Sequence, residues 1–378
     1  QSTQKPTIVS STLTWEKVTT LDLGLDARFF NDALGVTFDW YNRTTSDILT
    51  TANLPATLGA DAPYENMGTI QTKGWELAID YRHTFKNGLH FGVTASVADD
   101  KTEVTKWTYN TKIPSYGATG WWDKSAYKEG MVLGDIWGLQ FDRFLTEDDF
   151  NADGSLKAGL PDQTKVFPAG YQFAPGDVLY KDLDNNGEIV KQTNTNDKGD
   201  LSVIGNALPR LQFGLNLDAA WKGFDISMFF QGVAKRKLWA AGNQVLPGFT
   251  TGEPFYKGAE DYWTPENTDA FYPRPMDYKQ SASGNYSVND RYLLNMAYLR
   301  LKTFTVGYSL PKVWLSKFKV QGLRVYFTGE NLFTIDGVKP AIDPEIGIRT
   351  ASGKSDQRNF GRSYPYQKTV SFGIQLSL

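Results

Sequence analysis

The sequence predicts an all-β chain forming part of a transmembrane antiparallel β-barrel, and three observations lead there. Segments of about ten residues alternate between apolar and polar positions along nearly the whole chain, the period of an extended strand with two unlike faces. The connections alternate in length, short then long, as they do when turns gather at one end of a barrel and loops at the other. No stretch approaches the roughly 18 consecutive apolar residues of a membrane helix, whereas a barrel strand needs only about 9–11 residues with every second one apolar.

In chain order, Leu21, Leu23, Leu25, Ala27 and Phe29 share one face, with Asp22, Gly24, Asp26 and Arg28 on the other. An Asn31-Asp32 turn leads into Leu34, Val36, Phe38 and Trp40 against Gly35, Thr37 and Asp39, which predicts a hairpin. Trp75, Leu77, Ile79 and Tyr81 alternate with Glu76, Ala78, Asp80 and Arg82. Asn87-Gly88 then reverses the chain, because both residues tolerate positive φ, and Leu89 to Val97 returns. Leu211 to Trp221 and Phe224 to Phe230 form a third pair around Lys222-Gly223, with Phe229 an apolar exception on the polar face. A less regular pair, Phe304 to Leu310 and Leu323 to Phe327, flanks Pro311. The terminal TVSFGIQLSL sets Val370, Phe372, Ile374, Leu376 and Leu378 on one wholly apolar face. A further strand near Ile136–Phe144 brings the expected count to about ten. The long loops fall at roughly 44–66, 100–130, 240–295 and 334–363.

Composition narrows the function. There is no Cys and only His83 and His90, which removes thiol chemistry, Fe–S clusters, Cys-based zinc sites and most His-centred catalysis. A net charge of −3 and pI near 5.6 argue against a nucleic-acid partner. Aromatic residues make up 14% of the chain and gather near strand ends (Phe29, Trp40, Trp75, Tyr81, Trp221), where a barrel carries its interfacial girdles. The mean hydropathy of −0.41 is polar overall. The chain opens on a polar run at Gln1 with neither an initiating Met nor a signal peptide, as expected of a mature chain or an internal piece.

Several stretches resemble, in order, the C-terminal barrel half of the SusC/RagA family of TonB-dependent outer-membrane transporters. They are LTWEKVTTLDLGLDARFF with DWYNRTTSDIL, APYENMGTIQTKGWELAIDY, PGDVLYKDLDNNGEI followed by SVIGNALPRLQFGLNL, YLRLKTFTVGYSLP, LRVYFTGENLFTI and TVSFGIQLSL. The resemblance implies a barrel of roughly 22 strands around a plug, of which residues 1–378 supply the last ten or so, the plug and N-terminal strands lying outside this chain. It further implies residence in the bacterial outer membrane and import of oligosaccharides, glycans or peptides. The implied partners are a SusD-like surface lipoprotein, the TonB complex and the remaining N-terminal part of the barrel with its plug. Ten strands alone would leave two unpaired edges in lipid, where each unsatisfied backbone group costs several kcal/mol. Alternatives are a soluble or surface glycan-binding module, which would bury these apolar faces against one another, and a passive porin.

Few motifs carry chemistry. DLDNNGE places Asp182, Asp184, Asn186 and Gly187 at the first, third, fifth and sixth positions of a calcium loop, so Asp182, Asp184, Asn186 and Glu188 are candidate calcium ligands. The twelfth position is Thr193 rather than Glu, which excludes a complete EF-hand and leaves Asp197 or Asp200 to close the shell. The bland reading is an Asx-rich turn held by its own hydrogen bonds. DFNADG repeats the spacing at Asp149, Asn151, Asp153 and Gly154. GIRTASGKS fails the phosphate-loop spacing. Trp121 and Trp122, and Tyr262, Trp263, Phe271 and Tyr272, are candidate substrate or partner contacts, since exposed aromatic rings stack on sugars or on a partner; packing within their own loops is the alternative. No nucleophile, triad or paired acid can be placed, so an enzyme is not expected.

Overall fold

The computed structural model describes residues 10–51, 63–108, 127–191, 198–240, 242–249, 255–276, 284–315, 320–339, 342–345 and 364–377. Its strands are β1 (Lys17–Phe29), β2 (Leu34–Thr51), β3 (Tyr64–Thr84), β4 (His90–Trp107), β5 (Asp135–Gly138), β6 (Phe141–Phe144), β7 (Val178–Tyr180) and β8 (Ser202–Asn206). They continue as β9 (Arg210–Trp221), β10 (Phe224–Lys235), β11 (Lys237–Leu238), β12 (Leu294–Asn295), β13 (Tyr298–Ser309), β14 (Gly322–Glu330), β15 (Thr334–Asp336) and β16 (Thr369–Ser377). One ten-stranded sheet dominates, in the order β1-β2-β3-β4-β9-β10-β13-β14-β16, with β15 attached to β13. Every neighbouring pair in it is antiparallel. The sheet is an open wall, a barrel segment with two edges.

Turn chemistry sets the register. Phe30, Asn31 and Asp32 carry positive φ of 56°, 53° and 64°, and Lys222 and Gly223 carry 49° and 88°, the two-residue turn whose twist matches the strands it joins. Phe38 therefore stands opposite Leu25 and Leu77, Leu77 opposite Val97, and Val97 opposite Phe213, so one apolar row crosses five strands. Trp40 and Trp75 face each other at its loop-side border. On the other face Arg28 donates to Asp80 at 2.7 Å, and Arg324 donates to Asp225 through two nitrogens. Phe229 sits on this polar face beside a register shift at Phe229/Phe230, a bulge that accounts for its departure from the alternation.

Nothing in the described residues covers the apolar face. Leu23 and Leu25 on one edge strand are each 60% exposed, and Phe372 and Ile374 on the other are 82% and 73% exposed. The two large buried clusters lie instead among the long connections: Ile136, Trp239, Leu246, Tyr272, Tyr292 and Met296 belong to one, and Leu139, Phe144, Val178, Tyr180, Ile189 and Trp263 to the other.

The expected wall strand at Ile136–Phe144 is two short strands of this loop body. β5 pairs with β8 and β6 with β7, while the wall passes directly from β4 to β9. The segment breaks at Leu139 and Gln140: Leu139 is fully buried and its N–H donates to Val288, and the Phe141 N–H donates to the Asp290 carboxylate. Residues 108–209 are thus one connection in the wall.

Candidate functional site

The loop body is stitched together by Asp177. Its buried carboxylate accepts from the Tyr171 hydroxyl at 2.8 Å, the Ala174 N–H at 2.9 Å, the Arg274 Nε at 2.8 Å and the Asn285 Nδ2 at 2.9 Å. Asn285 returns its carbonyl to the Val178 N–H at 2.8 Å, and the Tyr180 hydroxyl donates to the Gly284 carbonyl at 2.6 Å. One long connection supplies residues 171–180 and the other supplies Arg274 and Asn285, so a single anion with full hydrogen bonding joins them. Burial, and next the charge of Asp177, push the Tyr171 hydroxyl well above the usual phenol range, which keeps it a donor.

Against this hub lies a cavity of about 520 Å³ whose lining includes Pro247, Tyr256, Tyr262, Tyr272, Pro275 and Tyr286, with Lys257 and Glu260 as its charged groups. Tyr262 is 40% exposed and offers a ring face. Tyr272 is buried and its hydroxyl donates to the Val245 carbonyl; burial, and then the nearby Asp261 charge, push that hydroxyl up to about 12. Such a pocket can stack a flat apolar ring or a proline while meeting one positive and one negative group. A second concavity, about 500 Å³, lies on the polar face of the wall, with Asp39, Glu76, Ser96, Phe229 and Gln231 in its lining and Asp39 directly opposite Glu76.

The structure brings Tyr262 and Tyr272 together on the first pocket. Trp263 is in the buried cluster, and Phe271 packs at its neighbour's edge while the Arg291 guanidinium lies 5.4 Å from its ring. Trp121 and Trp122 lie outside the described residues. The Asp177 hub has no sequence signal, because its partners stand 3 to 108 residues away in no motif.

The DLDNNGE turn is closed by its own hydrogen bonds. Asp182 accepts from the Asn185 and Gly187 N–H groups, Asp184 from Asn186, and the Asn186 Oδ1 from the Glu188 N–H. Positive φ at Asn185 and Gly187 makes the reversal. Glu188 turns away to pair with Lys165. Buried Asp200 comes in instead, bringing Asp182, Asp184 and Asp200 within 4.8 Å, an oxygen-only set that could hold a calcium-like cation. Thr193 and Asp197 lie outside the described residues.

In DFNADG, Asp149 is taken by Arg143 through contacts of 2.5 and 2.7 Å, and Asp153 by Ser155. The Arg143 hydrogen bonds, assisted by the Thr146 N–H, hold the Asp149 carboxyl at about 2. Because the folded value lies below the unfolded one, this pair stabilises the turn fully above about pH 5 and loses its contribution as pH falls toward 2. Arg143 is 41% exposed, so the contribution is about 1–2 kcal/mol. Protection factors at Thr146–Phe150, exchange rates taken relative to the intrinsic rate at each pH, are expected to fall through that acid window in the native sequence and to be low with little pH dependence in D149N.

Comparison with known proteins gives one consistent set. The sequence model described as TonB dependent receptor-like, beta-barrel matches residues 2–332. A TonB-dependent receptor of Formosa agariphila is 28% identical over 96% of this chain and 34% of its own length. TonB-dependent receptor SusC of Bacteroides thetaiotaomicron is 24% identical over 100% of this chain and 33% of its own. Among solved structures, a chain of the RagAB peptide transporter superposes with a TM-score of 0.66 at 20% identity, over 96% of this chain and 35% of that one. The chain thus spans about a third of the length of the curated relatives it matches.

Proposed function

Since this chain belongs to the TonB dependent receptor-like β-barrel family, we propose that it is the C-terminal wall and loop body of an outer-membrane importer. The observation that carries this reading is the one-sided sheet: an apolar face left open by the described residues, a polar inner face, and a folded body at the long-loop end. Lipid covers the outer face, and the inner face contributes to a lumen completed by the remaining strands and plug. The Tyr256–Tyr262 pocket is the first contact for an oligosaccharide or peptide handed over by a SusD-like lipoprotein. Import is driven by the TonB complex acting through the part of the protein outside this chain. The named relatives are receptors and transporters, and the pocket has the character of a binding site, with no catalytic step assigned to it.

The test is uptake by cells carrying the complete protein. Import of the substrate is expected to require TonB and to stop when the membrane is de-energised. Passive leakage that continues without TonB would replace the importer with a porin, and a chain that stays soluble without detergent would replace it with a binding module. Y256A/Y262A is expected to weaken substrate binding about five- to thirtyfold, the usual cost of removing aromatic contacts at a binding centre, with unchanged assembly into the membrane.

A further inference from the structure

The short-turn end of the wall carries a pattern that import does not explain. Three successive hairpins each pair an exposed aromatic with a lysine: Phe85 with Lys86, Trp221 with Lys222, and Trp314 with Lys312 on the helical turn Lys312–Leu315. These rings are 46%, 43% and 61% exposed. The Lys222 ammonium lies 4.5 Å from the centre of the Trp221 ring. No Asp or Glu occurs in 84–90, 219–224 or 310–321, whereas the first short turn has Asp32 and no lysine.

The three turns adjoin one another. The Trp221 Nε1 donates to the Asn87 carbonyl at 3.3 Å, and the Ser309 N–H donates to the Gly223 carbonyl at 2.8 Å. Antiparallel strands are about 4.8 Å apart, so successive hairpins set their lysines about 10 Å apart along the rim. Phe85 and Trp221 continue the apolar parity of β3 and β9, so the rim is the lower border of the face assigned above to lipid.

We propose that this rim binds anionic phospholipid. Each ring enters the interface between acyl chain and headgroup, and each neighbouring lysine meets a headgroup phosphate from the water side. A ring alone would anchor the barrel in any lipid. The row of lysines is what selects negative charge: the carboxylates nearest in sequence, Asp218 and Asp225, lie on the polar face, where Asp225 is held by Arg324.

This rests on the membrane reading, and its test separates the two. The complete protein is inserted into nanodiscs of phosphatidylcholine with and without phosphatidylglycerol, and retained lipid is measured by native mass spectrometry. A surface lysine is worth about fivefold in preference for anionic lipid, so the native rim should favour phosphatidylglycerol by about a hundredfold, and K86Q/K222Q/K312Q should abolish that preference. K222Q alone, with the smallest risk to assembly, should reduce it about fivefold. Insertion without preference, preference that survives the triple replacement, or lysine-dependent capture of a soluble protein without lipid preference would overturn the proposal and leave the membrane reading standing. Failure to insert into either nanodisc would overturn both.

Discussion

Replacing Asp177 with Ala is expected to destabilise the loop body by about 2–4 kcal/mol, the cost of leaving the part-buried Arg274 guanidinium and its neighbouring donors without their shared buried acceptor. Arg274 would lose both contacts to the carboxylate, at 2.8 and 3.2 Å, and Asn285 and the Tyr171 hydroxyl would each lose an acceptor. The strands of the wall share none of these bonds, so the damage should stay local. Hydrogen exchange is expected to rise at Val178–Tyr180 and around Asn285 while β9 and β10 keep their protection. D177N keeps the shape and part of the acceptor capacity and should cost less. A uniform loss of protection across wall and loops would show that the loop body is not an independent unit. Because the hub sets the spacing of Arg274 and Pro275 beside the pocket, D177A should also weaken substrate binding while assembly is preserved.

The second large effect separates the two faces of one strand. Leu217 lies mid-strand on the apolar face of β9, between Val93 and Met228, and its neighbour Asn216 points to the polar face. Lysine at a mid-bilayer, lipid-facing position costs about 2–4 kcal/mol, whereas a lumen-facing one is accommodated by water. L217K is therefore expected to deplete the assembled protein from the membrane, and N216K to leave it near normal. The readout is the fraction in the outer membrane that resists unfolding during electrophoresis. Equal tolerance of both substitutions would contradict the assignment of faces.

Much of the wall could be read from the sequence because strands have a period of two and one face meets a uniform medium. Leu21 to Phe29 and Val370 to Leu376 needed no partner to reveal their sides. Asn87-Gly88 and Lys222-Gly223 marked turns because positive φ restricts the residues that can sit there. The loop body was less legible for the same reason reversed. β7, β11, β12 and β15 have two or three residues each, too few to show a period. Whether Tyr262 or Trp263 faces outward depends on what lies across from it, and Tyr262 bridges to Tyr272 in a parallel pairing that no hairpin signal announces. The bond from Arg274 to Asp177 spans 97 residues. In the DLDNNGE turn the local spacing was visible, but Asp200 joins it through burial and Glu188 leaves it for Lys165.

Among the described residues the wall path holds nine strands, each antiparallel to the next, so its two edge strands run in the same direction. Joining β16 of one copy to β1 of another would pair them in parallel, and no ring made only of such copies keeps the alternation. Whatever closes this wall must supply an odd number of strands, the first and last both running opposite to β1 and β16. Direction alone thus fixes the parity of the strands that complete the barrel, a constraint that needs no side chain.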